Sequence, residues 1–193
     1  MWIDCDGEAV VVMTNGELAI LGLVVERPMY GYEIEQVIEQ RTMRNWTEIG
    51  FSSIYYLLKK LQTEGLVDSR VDTSRSKGPA RKVFGATRKG RSAWKRETRR
   101  ALATPRRQFP YIYLGMAGMP GLEPEQAIEA LDEHLKGLED RSAEIMAARE
   151  RSGLELPYYV EAMFTYGETM IEAERTWVIG FIEELTAMKK EPT

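Results

Sequence analysis

Through the first third of the chain, apolar residues recur at helical spacing and are interrupted by turn-forming residues. Leu18, Ala19, Leu21, Gly22 and Val25 mark a helix over about Asn15 to Val25, which Arg27 and Pro28 end. Ile34, Val37 and Ile38 mark a second helix that begins after Tyr30 and Gly31. Trp46 to Phe51 reads as an irregular turn whose aromatics are expected to plug the core. In the next segment Ile54, Leu57, Leu58 and Leu61 fall at i, i+3, i+4 and i+7 and form one apolar stripe. A step of about 100° per residue puts Ser52, Tyr56, Lys59 and Thr63 opposite that stripe, with Ser53, Tyr55 and Lys60 on its flanks.

The periodicity then changes. Leu66 to Val71 and Arg81 to Ala86 read as two strands, joined by the polar, Gly- and Pro-containing turn Asp72 to Pro79. Thr87 is placed to cap a helix from Arg88 to about Ala103, with Trp94, Ala101 and Leu102 facing inward. Pro105 and Pro110 bracket a junction, so the chain divides into residues 1–104 and 105–193. Beyond it, Ile128, Leu131, Leu135, Leu138 and Ile145 keep the alternating three and four spacing of a coiled-coil seam. After a break at Ser152 to Pro157, Val160, Phe164, Ile171, Val178, Phe181, Ile182 and Leu185 form the apolar face of another long helix. Two such helices joined by a short turn are expected to pack antiparallel and to leave apolar surface for a partner subunit.

The predicted fold is therefore mainly α with a small β-hairpin: a winged helix-turn-helix domain followed by an α-helical dimerisation domain. A winged helix predicts DNA binding, and the charge distribution agrees. The net charge is −4. Up to Glu48 there are three basic and nine acidic residues, from Ile49 to Arg107 sixteen basic and four acidic, and from Gln108 onward seven basic and seventeen acidic. A polyanion is drawn to the middle third and repelled elsewhere. The candidate DNA contacts are Ser52, Ser53, Tyr55, Tyr56, Lys59 and Lys60 on the third helix, with Arg75, Lys77, Arg81 and Lys82 on the hairpin. Tyr55 sits at the edge of the apolar stripe and fits packing as well as contact. The two serines fit a helix cap as well as a phosphate donor.

Other classes fare worse. Cys5 and His134 are the sole members of the usual nucleophile and base types, so a multi-His metal site lacks its ligands, and no Gly-rich phosphate loop is present. An enzyme is not expected, nor is a cofactor. A winged-helix adaptor that binds protein would present an apolar outward face on the third helix, and this face is mostly polar or basic. The lone cysteine excludes an internal disulfide, and no stretch reaches the roughly 18 to 20 apolar residues of a membrane span, so a cytoplasmic protein without membrane contact is expected. Residues 1–12 are acidic and then apolar; they are either a short extra element or precede a start at Met13.

Several segments, taken in order, resemble the PadR family of bacterial transcriptional regulators. They are Glu17 to Leu23 (ELAILGL), Met29 to Ile34 (MYGYEI), Ser53 to Val67 (SIYYLLKKLQTEGLV) and Gly78 to Gly90 (GPARKVFGATRKG), with the resemblance starting at about residue 16. Leu114 to Leu138 and Tyr166 to Leu185 are similar to the longer subgroup, whose C-terminal helical domain is related to that of virulence activators. The resemblance implies a homodimeric repressor on double-stranded operator DNA, with Tyr30 as a further DNA-binding residue. It also implies an interface drawing on Leu18 and Leu21 of the first helix and on Ile128, Leu131, Leu135, Leu138, Val178, Phe181 and Leu185. A small-molecule effector stays open: Phe109, Tyr111, Tyr113, Met116, Met119, Tyr159, Met163, Phe164, Tyr166 and Met170 fit a pocket lining, core packing or dimerisation alike.

Overall fold

The structure is a computed structural model, which describes residues 13–47, 49–50, 53–72, 81–107, 109–153 and 155–190. The chain divides between Arg106 and Arg107 into two compact units.

In the first unit, α1 (Asn15–Glu26) starts at Thr14, whose hydroxyl accepts from the Glu17 N–H while the Glu17 carboxylate accepts from the Thr14 N–H at 2.8 Å. This reciprocal capping satisfies two donors that a helix start otherwise leaves open. A two-residue strand, β1 (Met29–Tyr30), leads into α2 (Gly31–Gln40). After a 3₁₀ turn at Met43–Asn45 comes α3 (Ser53–Thr63), then the strands β2 (Val67–Asp72) and β3 (Arg81–Ala86) and the helix α4 (Arg88–Ala103). β3 lies in the centre of an antiparallel sheet, paired with β2 from Val67↔Ala86 to Asp72↔Arg81 and with β1 at Met29↔Phe84 and Tyr30↔Val83. The third strand is not foreseen from sequence. Two residues are too short to show a period of two, and β1 exists only because β3 offers it a ladder.

The predicted α3 stripe and Ile34 and Ile38 of α2 are core, but the α1 stripe is corrected. Of Leu18, Ala19, Leu21, Gly22 and Val25 only Leu21 is buried and the other four are half-buried, because the helix turns Ile20, Leu23 and Val24 inward. Ile20, Leu21, Leu23 and Val24 of α1, Ile34 and Ile38 of α2, and Ile54, Leu57, Leu58 and Leu61 of α3 are buried together with Met29, Leu66, Val67 and Phe84. Thr87 caps α4 as expected, accepting from the Gly90 N–H, and its own hydroxyl and amide donate to the carbonyls of Gly65 and Leu66. The start of α4 thus rests directly on the turn that follows α3. A Cβ on Gly90 would lie 1.9 Å from the Leu66 carbonyl oxygen, so only glycine permits this approach.

Two further core expectations are corrected. Trp46 is 51% exposed rather than a plug, because the 3₁₀ turn spends its buried position on Met43. Ala101 and Leu102 are exposed, since α4 packs only through Gly90, Ala93, Trp94 and Glu97 and its last turns run past the core.

In the second unit a short helix, α5 (Ile112–Gly118), precedes α6 (Pro124–Arg151) and α7 (Tyr158–Lys190). Pairs between α6 and α7 set their direction: Lys189 with Glu125, His134 with Glu174 at 3.2 Å, and Arg149 with Glu161. The end of one helix meets the start of the other, so the hairpin is antiparallel, as the short connection predicts. Leu131, Leu138, Ala148, Ile171 and Val178 are buried along its seam.

Candidate nucleic-acid interface

The α3 stripe that faces the core leaves the opposite face to solvent. Tyr55 and Tyr56 are 62% and 68% exposed, and Lys59 is exposed with no ion pair among the described residues. Tyr55 is also braced. A Cβ on Gly31 would lie 2.6 Å from its ring, so the tyrosine lies across the first residue of α2 while its outer edge stays open. Packing and exposure, alternatives for this residue on spacing alone, are realised together. Ser53 is half-buried, its amide donating to the Gly50 carbonyl at 3.2 Å, and Ser52 lies outside the described residues.

Lys60 departs from the helix-face expectation. Its ammonium bends toward α1 and pairs with the carboxylate of Glu17, which is 2% exposed. Burial works against ionisation of Glu17, yet the hydrogen bonds from Lys60 and from the Thr14 amide overcome it and hold the carboxyl below its ordinary value of 4.5. The same hydrogen bond to Glu17 holds Lys60 above 10.5, against its partial desolvation. Sequence spacing places Cα atoms around a helix but does not say where a long flexible side chain ends.

At the hairpin, Arg81 and Lys82 are exposed. The guanidinium of Arg81 sits 5.3 Å from the centroid of the Tyr32 ring, which stacks on Tyr30 at 5.5 Å, and the Tyr30 hydroxyl donates to Asp72. Asp72 and Arg81 are opposite each other at the end of the ladder. A cation over an aromatic face is attracted by the ring quadrupole, so these four residues tie the root of the hairpin to the start of α2. Tyr30 is half-buried in this cluster. Arg75 and Lys77 lie outside the described residues, as do residues 73–79 of the predicted turn, whose first residue, Asp72, ends β2.

The residues assigned to a subunit interface fall into two groups. Leu21 is 0% exposed in the core of the first unit and cannot touch a partner, whereas Leu18 is partly buried against that core. In the second unit Leu131, Leu138 and Val178 are consumed by the hairpin seam, and Ile128, Leu135, Phe181 and Leu185 are half-buried at its edges. α6 and α7 therefore cover the predicted seam only in part between themselves. What stays open is a second stripe on α7, Tyr159, Met163, Tyr166, Met170 and Trp177, all exposed. Its four, three, four and seven spacing is present in the sequence, hidden among the inward apolar residues of the same helix.

Among the described residues no cluster of His, Cys, Asp and Glu is arranged to hold a metal ion, and no helix is long and apolar enough to cross a membrane.

Residues 20–96 match the model of the transcriptional regulator PadR-like family. No curated protein matches the chain in sequence. Among solved structures, Bacillus subtilis PadR in complex with operator DNA is similar at 18% identity and a TM-score of 0.70, over 88% of this chain and 98% of that one. The same protein in complex with p-coumaric acid gives a TM-score of 0.73 at 18% identity and the same coverage. A PadR-like regulator from Bacillus cereus gives 0.62 at 20% identity, over 92% of this chain and 99% of that one. At such identities the likeness establishes a shared fold.

Proposed function

We propose that this chain, which belongs to the PadR-like family of transcriptional regulators, acts as a dimeric repressor that reads operator DNA through α3 and the hairpin wing. The observation that carries the reading is the outward face of α3. Tyr56 and Lys59 stand exposed on a helix whose other face is locked into the core, the arrangement a helix needs to enter a major groove without unpacking. Arg81 and Lys82 add cations on the wing, with Arg75 and Lys77 from the turn, to neutralise flanking phosphates. Tyr30 takes part through its hold on Asp72 at the wing root.

One winged helix reads a short half-site, so useful affinity requires two, roughly 34 Å apart on one face of the duplex. Residues 105–193 would supply that pairing through the outer stripe of α7, with Leu18 of α1 as a lesser contributor. Repression follows from occupancy: such a dimer excludes other proteins from the DNA it covers. The Bacillus subtilis structure with p-coumaric acid supports release by a small aromatic effector. In this chain Phe109, Tyr111 and Tyr113 offer exposed aromatic surface for such a ring.

The test is footprinting on the DNA immediately upstream of the chain's own gene. A protected site with two half-sites about one turn apart is expected. Failure to retain either that DNA or random duplex at low salt would instead favour a winged-helix adaptor that binds protein.

A further inference from the structure

The pair formed by Glu17 and Lys60 joins the first turn of α1 to the helix that faces DNA, and its two ends differ in environment. The carboxylate is 2% exposed and divides its oxygens, one accepting from the Thr14 amide and the other meeting the ammonium. The lysine side chain remains 40% exposed, one residue from Lys59. If Lys60 left to meet a phosphate, Glu17 would stay behind as a buried charge held only by its cap, and breaking such a pair from one side is strongly unfavourable. Lys59 has no such constraint.

We propose that Glu17 sets DNA specificity by acting as an internal counter-ion for Lys60. It holds α3 against α1 and withdraws one cation per protomer from sequence-independent phosphate contact, leaving Lys59 and Tyr56 to meet the duplex. The inference rests on α3 being the DNA-facing helix. Glu17 is a positioning residue, since it acts through Lys60 and touches no DNA.

Salt dependence separates the two lysines, because each phosphate contact adds about 0.9 to the slope of log affinity against log salt. The probe is a random-sequence duplex of fixed length with the full chain. Lys59→Met should flatten the slope by about 0.9 per engaged protomer, and Lys60→Met should leave it unchanged. Glu17→Gln, which frees Lys60, should steepen it by about 0.9 per engaged protomer and tighten binding to random DNA, and the double variant Glu17→Gln with Lys60→Met should return it to the parent value. The double variant buries neither charge, so it serves where Lys60→Met fails to fold. Equal flattening by Lys59→Met and Lys60→Met, or no steepening with Glu17→Gln, would overturn the inference while the DNA reading stands. A parent chain that does not bind duplex at all would overturn both.

Discussion

Two glycines show how much a single missing Cβ decides, and with opposite outcomes. At Gly90 the added carbon would meet backbone, the Leu66 carbonyl at 1.9 Å, and backbone cannot swing aside. Gly90→Ala should therefore shift α4 off the turn after α3 and cost about 1–3 kcal/mol, the usual range for overpacking, read as a lowered melting temperature. At Gly31 the obstacle is the Tyr55 ring, the far end of a side chain that is already 62% exposed. Gly31→Ala should leave the melting temperature nearly unchanged but push Tyr55 away and weaken duplex binding. An unchanged affinity would show that the position of Tyr55 is immaterial to DNA. The Glu17 and Lys60 pair adds a dependence on pH. A carboxyl held below 4.5 contributes stability that is complete above that value and lost as pH falls through the folded value; a lysine held above 10.5 contributes below it and loses the contribution as pH rises through the folded value. The double variant should flatten both limbs of a stability profile measured by denaturant titration. A profile that keeps its acid limb would place the acid sensitivity elsewhere.

Elements are legible in the sequence wherever their period survives over two or more turns. The α1 helix though not its buried face, the α2 and α3 stripes, the two wing strands, the Thr87 cap and the two long C-terminal helices follow from spacing and turn residues. What escapes depends on tertiary context. β1 is a strand by virtue of β3, Leu102 lies outside the core although helical leucines usually belong to one, and Lys60 is turned inward by a carboxylate 43 positions earlier in the chain. The recognition helix can be tested directly. Tyr56 and Lys59 stand a helical turn apart on the exposed face of α3, where side chains reach base edges in the major groove. Replacing each with alanine should narrow the free-energy gap between operator and random duplex by about 1–3 kcal/mol for every side chain that reads a base edge well. Equal weakening on both DNAs would assign these side chains to phosphates alone. On the wing, Lys82→Glu should weaken binding to any duplex while the fold persists, because those strands are held by β1, the core and the cluster around Arg81 rather than by Lys82.

The sorting of apolar residues into inner and outer stripes also decides how two DNA-reading units are joined. The hairpin of α6 and α7 buries Leu131, Leu138, Ile171 and Val178 along its own seam. The outer stripe of Tyr159, Met163, Tyr166, Met170 and Trp177 is different, since its side chains stay exposed on the hairpin. Fully covering a large apolar side chain is worth about 1.5–3 kcal/mol, and a two-fold interface counts each one twice. Charge cannot supply the attraction, because the segment from Gln108 onward carries seven basic and seventeen acidic residues and like-charged copies repel. An apolar stripe strong enough to overcome that repulsion should yield a dimer that tightens as salt screens the charge. Met163→Glu with Met170→Glu should therefore give a folded monomer by sedimentation, with helix content intact and operator affinity much reduced. Val178→Glu, aimed into the seam, should unfold the hairpin instead. If the methionine variant remains dimeric at micromolar concentration, the outer stripe is not the interface, and the pairing of the two reading heads must be sought on another surface.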